Sequence, residues 1–202
     1  MITMLVALAT AFTPHVSNPW FPLRTGTTYV YAGEKDGKQS RDVVTVTATT
    51  KTFAGMRCRK VKDHLYLNGR LEERTADWYS QDRAGNVWYC GETTAELDAK
   101  GHVTTREGSW RAGVDGARAG VLVPAHPRVG QRGQQEFFPG HAEDRFQVLS
   151  VSRGELLTKE WTPLEPGTVD HKLYRHGTGL VKEETVKGGN ERDALVSVRR
   201  GR

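Results

Sequence analysis

The sequence predicts an all-β chain, folded as an antiparallel up-and-down β-barrel of about ten strands with a lipocalin-like shape. Three observations carry this. Ten or eleven short segments rich in β-branched and aromatic residues are separated by turn signals at a spacing of about 8–12 residues, as in sandwiches and barrels. Asn68-Gly69 sits between two of them, a strong hairpin signal. No stretch longer than one turn keeps a helical period. Successive hairpins favour a meander, and closing the meander removes its exposed edges. A two-sheet β-sandwich is the alternative arrangement of the same strands.

In chain order, residues 1–17 read as a flexible leader or remnant signal segment. Their apolar run, Met4 to Phe12, resembles the core of a secretory signal but lacks a positively charged start and is too short to span a bilayer. Residues 18–202 read as a single barrel domain. Asn18-Pro19-Trp20-Phe21-Pro22-Leu23 is an extended entry fixed by prolines, with two aromatics positioned to plug one end of the core. Strands are expected at 27–32, 41–50 and 56–67, with turns at Asp36-Gly37 and Ala54-Gly55. A hairpin over 71–92 follows, LEERTADWYSQDRAGNVWYCGE, turning at Asp82-Arg83-Ala84-Gly85-Asn86. Alternation puts Leu71, Glu73, Thr75, Asp77 and Tyr79 on one face and Trp78 on the other. That face is either solvent or a cavity lined with carboxylates. Residues 103–110 form another strand. Residues 111–134, with Asp115-Gly116 and no clear period, read as a long loop suited to a lid, anchored by Val121-Leu122-Val123. Strands resume at 135–138, 144–152, 156–162, 169–174, 180–187 and 194–199.

The charge balance is mild. There are 29 Lys and Arg against 24 Asp and Glu, a formal net charge of +5, and no basic stripe beyond the tail Arg199-Arg200-Gly201-Arg202. A nucleic-acid partner is therefore not expected. No segment reads as transmembrane. Cys58 and Cys90 are the two cysteines. Their spacing fits no zinc site, and the sequence leaves open whether they are joined.

Five stretches carry a resemblance: NPWFPLRTGTTYVY (18–31), LEERTADWYSQDRAGNVWY (71–89), EGSWRAGVDGARAG (107–120), KEWTPLEPG (159–167) and YRHGTGLVKEE (174–184). Together they resemble a group of small exported bacterial β-rich proteins, mostly of unassigned function. The resemblance covers nearly the whole chain. It implies a secreted or cell-envelope protein with a lipocalin-like barrel, and it implies no catalytic set.

The residues themselves offer three clusters. Glu143 and Asp144, beside His141, provide oxygens of the kind Ca²⁺ prefers, although the spacing matches no EF-hand and equally suits a solvated turn. Glu160 and His171 flank the turn at 163–168, where a tight hairpin would set a carboxylate beside an imidazole as base and orienter, or as an ordinary surface pair. Asp77 and Glu92, among Trp78, Tyr79 and Trp88, fit a barrel mouth in which burial raises a carboxyl pKa unless a cation compensates. The motifs G-x-S-x-G, H-E-x-x-H and the P-loop do not occur. Two functions follow as expectations. One is a metal-assisted hydrolase of small esters or phosphoesters, with His171 and Glu160 catalytic, Trp78, Tyr79 and Trp88 binding substrate, and Asp77, Glu92, Glu143 and Asp144 holding a divalent metal, Ca²⁺ above others. The other is a non-catalytic carrier of an apolar or amphipathic ligand.

Overall fold

The computed structural model describes residues 11–201. Among them are sixteen β-strands: β1 Phe12–Thr13, β2 Thr28–Lys35, β3 Lys38–Phe53, β4 Met56–Leu67, β5 Arg70–Asp82, β6 Val87–Leu97, β7 Val103–Thr105, β8 Trp110–Arg111, β9 Arg118–Val123, β10 Arg132–Gln134, β11 Glu136–Phe137, β12 Arg145–Ser152, β13 Glu155–Trp161, β14 Val169–Arg175, β15 Gly179–Lys187 and β16 Arg192–Arg199. All pairings are antiparallel. Thirteen strands run in the order β10-β12-β13-β14-β15-β16-β2-β3-β4-β5-β6-β9-β11, a sheet curled into a nearly closed barrel. The expected barrel is present, with more strands than the sequence marks because several are only two or three residues long.

Turn chemistry produces this meander. The tight connections carry residues with positive φ, among them Asp36-Gly37, Ala54-Gly55 and Asn68-Gly69. Gly reaches that region without steric cost, and Asn and Asp reach it more readily than other residues. The barrel closes where β9 meets the chain leading from β10 to β11. A Cβ on Gly120 would lie 2.1 Å from the Gln134 carbonyl oxygen, so only Gly admits this backbone approach.

Two expectations change. The 111–134 loop is partly strand: β9 pairs with β6 and β11, and β10 pairs with β12, so its Val121–Val123 anchor is part of the wall. The leader boundary at 17 also moves. Phe12 and Thr13 pair with Asp82 and Gln81 on β5, and Val16 is buried in the main core. The part of the leader expectation covering residues 1–10 lies outside the described residues.

The N-terminal segment then plugs one end of the barrel. Val16 bridges Leu23. Buried Asn18 donates to the carbonyls of Gly85 and Pro124 and accepts from the Trp20 amide. Phe146, Val148, Leu156, Tyr29, Tyr31 and Tyr174 pack into the same core. A second cluster, around Phe53, Met56, Trp78 and Trp110, contains the Cys58–Cys90 disulfide, which links β4 to β6 across β5. No helix among the described residues is long and apolar enough to cross a membrane.

Candidate functional site

Strand alternation writes three rows across the inner wall. Asp42, Leu65 and Glu73 are successive cross-strand partners. So are Val44, Asp63, Thr75 and Thr94, and so are Val46, Val61, Asp77 and Glu92. The face of β5 carrying Glu73, Asp77 and Tyr79 is thus the inside of the barrel. The wall encloses two adjoining cavities. One, of about 210 Å³, is bounded by the plug residues Phe21 to Leu23 and by tyrosines. The other, of about 390 Å³, is the more polar and more open. They share Asp42, Asp63, Asp77, Tyr79, Glu183 and Asp193 as lining, so the lumen runs from an aromatic floor to a carboxyl-lined upper section.

A bulge sets the chemistry near Asp77. Trp78 faces Gly91 and Tyr79 faces Tyr89, leaving Cys90 as the extra residue on β6. Gly91 has φ of 155°, and a Cβ there would lie 2.8 Å from the Trp110 carbonyl oxygen. The extra residue puts Tyr89 and Glu92 on the same inner face, which strict alternation would forbid. The Tyr89 hydroxyl lies 2.5 Å from Asp77 Oδ1 and 2.9 Å from Glu92 Oε2. One hydroxyl proton cannot serve both oxygens. Burial, reinforced by the Asp77 charge, pushes Glu92 up to about 9, while burial and the Asp63 charge push Asp77 up to about 7. Burial therefore favours a proton on Glu92, and the Tyr89 hydroxyl bridges the two carboxyls. Tyr79 stacks on Tyr89 at 5.0 Å.

Further carboxyls follow the same logic. Asp63 is raised chiefly by burial and shares its proton with Asp42, its diagonal neighbour on the wall. Glu136 accepts from Trp110 Nε1 at 2.6 Å, and burial plus the Asp144 charge push it up to about 8. Glu160 accepts from Thr158 and Tyr174 and pairs with Lys172 Nζ at 3.1 Å. Lys172 also reaches Glu183 at 3.3 Å. Those two partners hold the ammonium charged despite its burial.

Measured against the sequence, the site is partly reassembled. Asp77 and Glu92 do meet, as direct cross-strand partners. Tyr79 lines the lumen. Trp78 does not: it faces outward against Phe53, with Lys60 over its ring. Trp88 also faces outward, its Nε1 donating to Asp82 Oδ2 and its ring meeting Phe12 edge-on. Glu160 and His171 do not form a pair. The register opposes Glu160 to Asp170 and His171 to Lys159, so the carboxylate points inward and the imidazole outward. Glu143 caps its own turn by accepting from the Gly140 amide. It does not join Asp77 and Glu92, and Asp144 stands nearer Glu136 and Glu160. Among the described residues no three His, Cys, Asp or Glu donors converge in a metal-binding geometry. Sequence reasoning missed Asp42, Asp63 and Lys172 as lumen residues, and Glu136 as a buried carboxyl. Alternation within β3, β4 and β14 carried the signal for three of them once the inner face was known.

No family model matches the chain, and no curated protein sequence matches it. Two solved structures are similar in shape. A protein of YmcC-like fold inferred to be exported, from Bacteroides fragilis NCTC 9343, covers 90% of this chain and 99% of its own at 13% identity, with a TM-score of 0.48. A lipoprotein by inference, from Parabacteroides distasonis ATCC 8503, covers 89% and 98% at 10% identity, with a TM-score of 0.43.

Proposed function

We propose that the protein is a carrier that holds one small amphipathic molecule inside the barrel. The observation behind this reading is the two-part lumen. An aromatic floor built from Phe21, Leu23, Tyr29, Val44 and Val61 is continuous with a section lined by carboxyls. A concave, largely apolar pocket with polar groups at one end is the usual form of a small-molecule site. The Cys58–Cys90 disulfide supports a working place outside the reducing cytosol, in a secreted or envelope setting.

The test uses N-phenyl-1-naphthylamine, whose fluorescence rises in apolar surroundings, with octanol as competitor. The expected result is a fluorescence gain that octanol reverses and that Val44→Phe, which fills the floor, reduces about tenfold. No gain with the folded wild-type protein overturns the carrier.

A second reading, a hydrolase of small esters or phosphoesters assisted by a divalent metal such as Ca²⁺, draws on one feature. Glu92 and Asp77 are carboxyls pushed to different pKa values and joined through Tyr89, the kind of pairing that separates an acid from a base. His171 has no part in this version. Hydrolysis of p-nitrophenyl octanoate or p-nitrophenyl phosphate that falls about a hundredfold in Asp77→Asn, and responds to chelator and Ca²⁺, would support it. Turnover equal to the buffer blank would remove it.

A further inference from the structure

The lumen's charges do not balance. Nine carboxyl groups line its two cavities against three cationic side chains, in a chain whose formal net charge is +5. Each of the three cations is already engaged: Lys35 with Glu191, Arg192 with Glu34, and Lys172 with Glu160 and Glu183. Among the described residues four of the other carboxyls lean on hydroxyls. Asp193 accepts from Ser40, Asp170 from Thr185, Glu73 from Thr94, and Asp77 from Tyr89. Asp42 shares a hydrogen bond with Asp63, but its Oδ1 is buried and has no hydrogen-bond partner. A buried acceptor left without a donor is costly, so a native structure that keeps one calls for an explanation. Asp42 lines both cavities, at the border of the aromatic and the carboxyl sections.

We propose that the carried molecule has a protonated amine as its head, and that Asp42 is the carboxylate that receives it, with Asp63 and Asp77 alongside. This inference rests on the carrier reading and names the ligand class. An ammonium offers three donors that can point to separate acceptors, which suits carboxyls spread over β3, β4 and β5. A divalent metal instead needs several oxygens converging on one point. Tyr31 and Tyr79 line the same space and supply aromatic surface of the kind that attracts a cation. The wall itself already contains such an arrangement: the Lys172 ammonium sits between two carboxylates and beside Tyr174. The ligand head repeats it on the opposite side of the lumen.

Calorimetric titration of the wild-type chain with octylamine, octanol and octanoate at pH 7 tests this, since the three probes share a tail. The expected result is octylamine binding at least about tenfold more tightly than octanol, and octanoate more weakly than either. Asp42→Asn, nearly the same in shape, should bring octylamine down to the level of octanol while leaving octanol unchanged. Should that variant fail to fold, the wild-type protein alone supplies a second readout. Octylamine must displace protons from the carboxyls it meets, so titrations in two buffers of different ionisation enthalpy should report proton release. Octanol binding as tightly as octylamine overturns the amine head but leaves the carrier standing. Preference for octanoate does the same. Octylamine binding undiminished in a folded Asp42→Asn protein removes Asp42 from the role. Binding of none of the three brings down both readings.

Discussion

Asp77, Glu92 and Glu136 have been moved from water to places where their charge is poorly compensated, and the consequence for stability has a definite sign. Asp77, Glu136 and Glu92 titrate in the fold near 7, 8 and 9. A carboxyl in the unfolded chain titrates near about 4. The folded form therefore prefers the bound proton. The stability this lends is complete below the unfolded value and is lost as pH climbs through the folded values. The melting temperature of the ligand-free protein should fall between pH 5 and pH 9, by roughly 5 °C or more. Glu92→Gln should flatten the fall at its upper end and Asp77→Asn near neutrality, and both should melt higher than wild type at pH 9. A melting temperature rising over that interval would contradict the assignment. The acid-bearing face of β5 was readable in the sequence, because a period of two needs no tertiary information. The Tyr89 link between Asp77 and Glu92 was not, because it depends on one extra residue at Cys90, and a bulge leaves no periodic trace.

Among the elements, β16 is held unequally. It pairs along most of its length with β2, but with β15 only from Arg192 to Ala194. By contrast β14 and β15 pair from end to end. Below the short β15–β16 ladder the wall is completed by side chains. Tyr31 donates to the Leu180 carbonyl and Tyr29 to the Pro22 carbonyl. Amides along this seam should lose protection in hydrogen exchange before those of β3, β4 and β5. Tyr31→Phe should speed exchange at the seam and leave the β4–β5 amides unchanged. On the opposite side of the barrel, the Cys58–Cys90 bond spans 32 residues of sequence. Its reduction should cost about 3.7 kcal/mol on the chain-entropy model, readable as a lower melting temperature in dithiothreitol. The sequence left the two cysteines open because Cys58 and Cys90 are brought together by the register of two separate hairpins. The Glu160–His171 pair failed for the same reason in reverse. A turn shifted by one residue moves every partner to the other face, and the loop at 163–168 does not declare its register.

As a whole, the molecule is a sheet whose two ends come together without a full ladder between them. Closure depends on Gly120 lying against Gln134 and Gln135. Gly120→Ala should destabilise by about 1–3 kcal/mol through forced backbone displacement. It should also loosen β9 to β11 selectively, which exchange measurements on those strands would detect. The barrel class was legible because turn residues and alternation are local. The strands of the 111–134 segment were hidden because β9 and β10 owe their extended form to the neighbours they meet, not to their own Gly-rich composition. The lumen's contents were half legible for a similar reason. Acids on one strand could be seen, but their accumulation on β3, β4, β5, β14 and β15 around a shared space belongs to the closed object.

The plug formed by Val16 to Leu23 makes the barrel a blind vessel with a fixed depth. On the carrier reading, a guest that enters tail first would stop when its end methyl touches Phe21 and Leu23, with its head at the level of Asp42, and the floor would work as a ruler. In a series of straight-chain guests with one head group, affinity should climb with each added carbon until the tail fills the floor, and then break sharply, because the next carbon lifts the head away from its carboxylate.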